Sequence, residues 1–210
     1  ENLKGDLAAD TLMYTEYIQF TQQKHDLAIA INAYVFERQP IADTASFIVN
    51  LQAVGRLYLP STSDNTYQDL VSTGNLKLIK DDSVIDAIRA YYTDELSWWY
   101  AEYIDQLVNG YLPIVVHAMP MSIHQEILDN ERNQVLRDTI DRSILKTNIQ
   151  SYNRKEVAQI IEALASDTAF AFQLKKITRS HLVHRNVLIG NKVNAISLFE
   201  KLETLERNEN

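Results

Sequence analysis

The chain has 210 residues, 46% of them hydrophobic, which is enough to bury a core of ordinary size. Its formal net charge of −8 argues against a protein that neutralises nucleic-acid phosphates. The absence of cysteine excludes disulfides, zinc–thiolate sites and cysteine nucleophiles, and no run of about 18 apolar residues could cross a bilayer.

Apolar residues recur at helical spacing through the first segment, so the sequence predicts a long helix from near Glu1 to about Arg38. Pro40 should end it, because the residue before a proline is disfavoured in the helical conformation. A second helix is predicted over about 44–57 with Asp43 as its N-cap. A loop over 60–65 follows, indicated by its polar composition and Pro60.

A short third helix is predicted over about 66–73. Asn65 should accept a hydrogen bond from the backbone N–H of Gln68, whose side chain can reach back. Gly74 should end the helix in the left-handed conformation, which glycine adopts without a Cβ clash. Beyond it, Leu76, Leu78 and Ile79 are expected to return to the core, either as a short extended link or as the next buried turn.

A long central helix is predicted to begin at a cap formed by Asp81 and Asp82 and to reach about Tyr111, with Pro113 ending or kinking it. Two shorter helices should cover about 123–130 and 132–149. The last helix should run from Asn153 to about Leu205, with Gly190 as its weakest point.

These elements predict an all-α fold, an elongated antiparallel helical bundle with long first, central and last helices. A single domain over 1–210 is expected. The basic residues of the last helix are interpreted as a solvated face. They are Lys175, Lys176, Arg179 and Arg185.

The pair His181 and His184 would lie on one side of that helix, which makes it a weak candidate for metal binding. Two ligands are too few for a closed zinc site. The site would have to be completed by His117, His124 or Glu126. The favoured interpretation is a buried core stripe at 3-4-3-4 spacing, formed by positions 174, 177, 181, 184 and 188. We expect no metal or other cofactor.

None of the common catalytic or phosphate-binding motifs is present, neither G-x-S-x-G, H-E-x-x-H, a P-loop nor G-x-G-x-x-G. The sequence therefore does not predict an enzyme.

The aromatic run Trp98-Trp99-Tyr100, with Tyr103 close by, is a candidate contact surface. Consecutive helical positions are about 100° apart, so three of them cannot all face one core. Aromatic side chains are enriched at binding hot spots, and we expect these four residues to contribute to an interface. The alternative is that neighbouring helices surround them on all sides.

The most distinctive segment is Thr66-Tyr67-Gln-Asp-Leu70-Val-Ser72-Thr73-Gly74-Asn-Leu76-Lys-Leu78-Ile79. A capped short helix, a glycine stop and a return to the core explain it structurally, without a ligand. A backbone nest near Ser72, Thr73 and Gly74 could instead hold an anion.

The segment, followed by Ala90-Tyr91-Tyr92 and preceded by Leu3-Lys-Gly-Asp6-Leu7, resembles the signature of an uncharacterised bacterial family of single-pass membrane-anchored helical domains. That signature reads T-Y-x-x-L-x-S-T-G-x-L-x-L-I. The resemblance covers about residues 1–103. It implies an upstream transmembrane anchor and a location on the periplasmic side of the bacterial inner membrane. It implies no activity and no functional residues.

Together these observations predict a non-enzymatic extracytoplasmic helical domain of a membrane-anchored protein, acting in sensing or protein–protein assembly. Its partner would be an unknown protein or a second copy of itself, with no nucleic acid, and it would meet the membrane only through the missing N-terminal anchor. The alternative is a small-molecule or metal-binding helical domain.

Overall fold

The structure, a computed structural model, describes residues 2–41, 43–56, 59–93, 97–135 and 154–209. Within these ranges the fold is all-α and bundle-like, without a strand, which confirms the predicted class. The α-helices are α1 (Asn2–Phe36), α2 (Thr44–Gly55), α3 (Asn65–Ser72), α4 (Asp82–Thr93), α5 (Ser97–Ile104), α6 (Leu112–Ala118), α7 (Met121–Val135), α8 (Arg154–Ser166) and α9 (Thr168–Glu209). A 3-10 helix spans Asn75–Leu78 and a π-helix spans Asp105–Tyr111.

Packing divides the chain into two compact units, each assembled from separated stretches of sequence. The first unit comprises Glu1–Gln19, Tyr58–Trp98 and His184–Asn210, and the second comprises Phe20–Leu57 and Trp99–Val183. None of the described helices combines the length and the apolar character that a bilayer crossing requires.

Helix α1 buries a row of positions at alternating spacings of three and four residues, the spacing of packed helices, with one gap of seven between Tyr14 and Thr21. The buried members are Leu3, Leu7, Asp10, Tyr14, Thr21, Lys24, Ala28, Ile31 and Val35. The predicted length of this helix is confirmed. Polar residues at Asp10, Thr21 and Lys24 were not expected in the row.

In the first unit, the N-terminal part of α1 packs antiparallel to the C-terminal part of α9. Lys4 Nζ lies 2.6 Å from a carboxylate oxygen of Glu206, at opposite ends of the chain. The shared core contains Leu3, Leu7, Leu76, Val84, Ile88, Ala195, Leu198 and Leu202.

In the second unit, α2 packs against α6 and α8 around a core of large side chains. Its fully buried members include Phe47, Ile48, Leu51, Leu107, Tyr111 and Phe170. Gly55 closes α2 directly against Leu112, and a Cβ at this position would overlap the Leu112 side chain. The approach of α2 to α6 therefore depends on glycine.

Three predicted helix boundaries are confirmed. The Asp43 carboxylate accepts from the N–H of Ser46 at the start of α2. The Asp81 carboxylate accepts from the N–H of Ser83 at 2.9 Å before α4. Gly74 has φ +72°, in the left-handed region, and ends α3 as predicted.

Two details of the signature segment were predicted wrongly. Asp64, not Asn65, precedes α3, and its carbonyl accepts from the N–H of Gln68 at 2.9 Å while its carboxylate accepts from the Gln68 side chain. Leu78 is 74% exposed, because the 3-10 helix turns Leu76 inward and points Leu78 to solvent.

The predicted last helix is two helices. The carboxylate of Asp167 accepts from the N–H of Ala169 at 2.7 Å and so starts α9 afresh. Gly190 lies inside α9 without a break. A boundary was also predicted at Asn130, but α7 continues through it to Val135. The rest of the helix predicted over 132–149 lies outside the described residues, and so does the predicted start at Asn153.

The predicted central helix corresponds to α4, α5 and the π-helix, with residues 94–96 outside the described chain. Pro113 does not end it, since helical structure continues through α6 to Ala118. The π-helix immediately before Pro113 was not predicted. Its wider turn changes which side chains face inward.

Candidate functional site

A surface groove of about 370 Å³ runs between α1 and α9 within the second unit. It is lined by His25, Ile29, Asn32, Leu174, Lys175, Thr178, Arg179 and Leu182. We call it the α1–α9 groove. Its volume falls within the range of roughly 300–1,000 Å³ that is typical of binding clefts.

The groove has an apolar floor that is partly open to solvent. Leu174 is buried at its base, while Ile29 is 50% and Leu182 is 40% exposed. A partner that covered these two side chains would remove apolar surface from water, which is favourable by about 25 cal/mol per Å².

The rim of the groove is basic on the α9 side. Lys175 and Arg179 are exposed and lie one helical turn apart, and His25 faces them from α1 with its Nδ1 3.3 Å from the Asp26 carboxylate. A basic rim is a local exception in a chain whose net charge is −8.

The groove is formed by residues that lie next to the buried rows of α1 and α9. Positions 24, 28 and 31 of α1 and 174, 177 and 181 of α9 point inward. The residue that follows each of them in sequence lies about 100° further round the helix, on its flank. All six of these flanking residues line the groove, and Leu174 lies at its floor. The six are His25, Ile29, Asn32, Lys175, Thr178 and Leu182.

Sequence reasoning identified the α9 stripe and its basic residues separately but missed the groove. All five predicted stripe positions are buried, which confirms that interpretation. The groove could have been located from the residues that follow each buried position of α1 and α9 in sequence. These residues indicate a groove only when α1 and α9 are known to be neighbours.

Below this surface, His181 joins three helices of the second unit. Its Nε2 lies 3.1 Å from the carbonyl oxygen of Val54 in α2, and its Nδ1 lies 2.7 Å from the Tyr103 hydroxyl in α5. A carbonyl only accepts, so Nε2 carries the hydrogen, Nδ1 accepts and Tyr103 donates. Val54 is among the last four residues of α2, whose carbonyls have no helical partner, and His181 supplies one.

The π-helix adds a second buried polar contact to α9. The Gln106 side chain accepts a hydrogen bond from the Ser180 hydroxyl and donates to the Glu102 carboxylate at 2.9 Å. Both Gln106 and Ser180 are buried. Residue 106 reaches α9 because the π-helix places it on the inner side together with Leu107 and Tyr111.

Lys24 belongs to the buried row of α1 and is 3% exposed. Burial lowers its pKa well below the usual value, and the neighbouring positive charge of Arg56 lowers it further. Its Nζ lies 4.7 Å from the ring centroid of Phe20, within cation–π distance.

In the first unit, Asp10 is buried and holds two segments against α1. Its carboxylate accepts from the Tyr91 hydroxyl at 2.7 Å and from the Ser63 N–H at 3.1 Å. Burial raises the pKa of Asp10, and these two hydrogen bonds only partly offset the rise. Burial also raises the pKa of Tyr91, and the hydrogen bond to Asp10 raises it further.

The signature residues come together in this unit. The rings of Tyr67 and Tyr92 stack with centroids 4.7 Å apart, and Tyr91 meets Tyr92 edge to face at 4.8 Å. Leu76 lies in the same core as Leu3. Of the remaining signature residues, Leu70 and Ile79 pack on that core, Thr66 is half-buried, and Ser72 and Thr73 are exposed.

The alternative of an anion nest at the end of α3 does not fit the geometry. The hydroxyls of Ser72 and Thr73 both donate to the carbonyl of Asp69. The backbone N–H groups of Thr73 and Gly74 donate to the carbonyls of Asp69 and Val71. These donors are therefore already engaged within the turn.

The predicted aromatic surface is only partly at the surface. Tyr103 is 1% exposed and belongs to the core of the second unit, so its side chain does not lie at the surface. Trp99 and Tyr100 are half-buried, and the side chain of Trp98 lies outside the described atoms.

The predicted histidine pair is buried, with His181 in the second unit and His184 in the first. Both ring nitrogens of His181 are engaged by protein groups. Of the possible third ligands, His124 Nδ1 lies 2.8 Å from the Gln52 side-chain amide. Among the described residues, no group of three or more histidines, aspartates or glutamates is placed to hold a metal ion.

Comparisons of the chain with protein-family models, with curated proteins and with solved structures found no match.

Proposed function

We propose that this chain is a non-enzymatic helical module that docks a partner protein through the α1–α9 groove, in a sensing or assembly role. The observation that carries the proposal is the groove itself, an apolar floor with a basic rim. Ile29 and Leu182 are each large and about half exposed, and they lie on facing walls of one cleft. Apolar patches rimmed by polar groups are typical of interaction sites.

The buried polar groups support a structural role rather than chemistry. The hydrogen bonds of His181 join α2, α5 and α9, and the Asp10 carboxylate holds Tyr91 and Ser63. These side chains are the ones an unfamiliar enzyme would draw on, and they connect helices here. We therefore assign binding to the groove instead of the predicted aromatic run.

The test is site-specific photo-crosslinking in the cells that produce the protein. A benzophenone side chain at Ile29 should give a discrete crosslinked product, and one at Leu12, which is exposed elsewhere on α1, should not. The double change Lys175→Glu/Arg179→Glu should abolish the product. Lys176→Glu, a single charge reversal on the same helix outside the groove, should leave it.

The identity of the crosslinked species decides between the remaining possibilities. A second protein supports assembly with a partner, and a product of twice the chain mass would show self-association instead. Equal crosslinking from Ile29 and Leu12 would show that the groove is not a docking site.

We also propose, from the resemblance of the signature alone, that the module lies on the periplasmic side of the inner membrane behind an N-terminal anchor. Alkaline phosphatase folds into its active form only after export. A fusion of this enzyme after Asn210 of the full-length protein should therefore be active, and an inactive fusion would place the module in the cytoplasm.

A further inference from the structure

We infer that the occupant of the α1–α9 groove is an acidic amphipathic helix of the partner protein. The inference rests on the proposed docking function and specifies the chemistry of what docks. It follows from the shape of the groove and from the sign of its rim.

The shape fits a helix. The walls are two helices, and their lining residues recur at helical spacing, 25, 29 and 32 on α1 and 175, 178 and 182 on α9. Each wall spans eight residues, from 25 to 32 and from 175 to 182, a rise of about 10 Å at 1.5 Å per residue, which is two helical turns. A third helix laid between two others presents apolar residues at i, i+4 and i+7, the usual anchors of helix-in-groove recognition.

The exposed floor residues define what such a helix would bury. Ile29 lies on one wall and Leu182 on the other, with Leu174 beneath them. One row of aliphatic side chains on the incoming helix can contact all three. Asn32 and Thr178 also line the groove. The Asn32 amide donates to the Glu37 carboxylate and the Thr178 hydroxyl donates to the carbonyl of Leu174, and the side-chain oxygens of both residues can accept from polar groups of the partner.

The charge of the rim selects the polar face of the helix. Lys175 and Arg179 lie four residues apart on one edge and His25 lies opposite. Glutamates spaced i, i+4 on the partner would match the two exposed cations. The net charge of −8 does not cancel this preference, since charges beyond about 8 Å are largely screened at physiological ionic strength.

The experiment uses two synthetic helical peptides and the whole 210-residue chain. Both are 16-residue peptides with leucines at i, i+4, i+7 and i+11, and they differ only in carrying glutamate or lysine beside the leucines. Fluorescence anisotropy gives their Kd values, and circular dichroism shows that the two are equally helical. The acidic peptide should bind about tenfold more tightly. It would form two partly screened ion pairs with Lys175 and Arg179, whereas the lysine peptide would be repelled by both residues.

The charge-reversed variant Lys175→Glu/Arg179→Glu should bind the lysine peptide more tightly than the glutamate peptide. Lys176→Glu should leave the original order unchanged. Equal binding of the two peptides, or a preference that the double variant does not alter, would overturn the inference.

Dodecanoate provides the competing outcome, because it combines an apolar chain with one negative charge. If it protects Ile29 from crosslinking and neither peptide binds, the groove holds a small anionic amphiphile and the helix is excluded. If Ile29 crosslinks to a partner protein but the peptides show no preference for acid, docking stands and only the acidic character of the partner fails.

Discussion

Replacing Tyr103 by phenylalanine removes a single hydroxyl from the centre of the second unit. Tyr103 and His181 are each no more than 1% exposed, and the hydroxyl donates to His181 Nδ1 at 2.7 Å. Water cannot easily replace the donor, so the substitution leaves a buried acceptor without its hydrogen bond. Such a loss costs about 1–3 kcal/mol of unfolding free energy.

Tyr111→Phe is the matched control. Tyr111 is equally buried in the same unit, and its hydroxyl donates to the carbonyl of Leu51 at 2.9 Å. Leu51 lies in α2, where the N–H of Gly55 at i+4 is its helical partner, so the carbonyl keeps one hydrogen bond in the variant. We expect a smaller loss, about 0.5–1.5 kcal/mol.

Urea unfolding followed by circular dichroism and by tryptophan fluorescence measures both variants. Agreement of the two signals shows whether a single transition applies, which matters in a chain that forms two compact units. Loss of more stability in Tyr111→Phe than in Tyr103→Phe would refute the reasoning, because it would mean that His181 does not depend on Tyr103.

Two further predictions concern stability. Burial and Arg56 lower the pKa of Lys24, so the unfolded chain binds more protons and stability should rise with pH up to the usual lysine value of 10.5. Lys24→Met should abolish that rise of stability between about pH 7 and pH 9. It should also increase the free energy of unfolding at pH 7 by roughly 1 kcal/mol or more. Urea unfolding at a series of pH values measures both effects. Gly190→Ala should raise the thermal midpoint, because alanine at an open helical site increases the free energy of unfolding by about 0.5–1 kcal/mol. Gly55→Ala should lower the thermal midpoint, because the new methyl group overlaps Leu112.

The features that sequence predicted correctly depend on neighbours along the chain. Asp43 and Asp81 cap helices that begin immediately after them, and Gly74 supplies a conformation that other residues avoid. The α9 stripe follows from period alone. Asp167 is the local exception, since it has the geometry of a cap but lies within an apolar period that continues on both sides of it.

The features that sequence missed depend on partners far away in the chain. In the sequence, Tyr103 is one member of an aromatic run. Its assignment to the core depends on its contact with His181, which lies 78 residues later in the chain. The π-helix shifts the phase of the helical period, so positions beyond Asp105 cannot be extrapolated at 3.6 residues per turn. The groove requires two helices that the sequence places at opposite ends of the chain.

The buried row along α1 repeats every seven residues, so sliding the helix by one heptad would keep the row facing the core and retain many of its apolar contacts. The polar members of the row give the natural register and the slipped register different free energies. A shift of seven residues moves a side chain about 10 Å along the axis, which would take the Asp10 carboxylate away from Tyr91 and Ser63. Burying this charge lowers the stability of the natural alignment, but it raises the free energy of the slipped register much more, because there the carboxylate would be desolvated without donors.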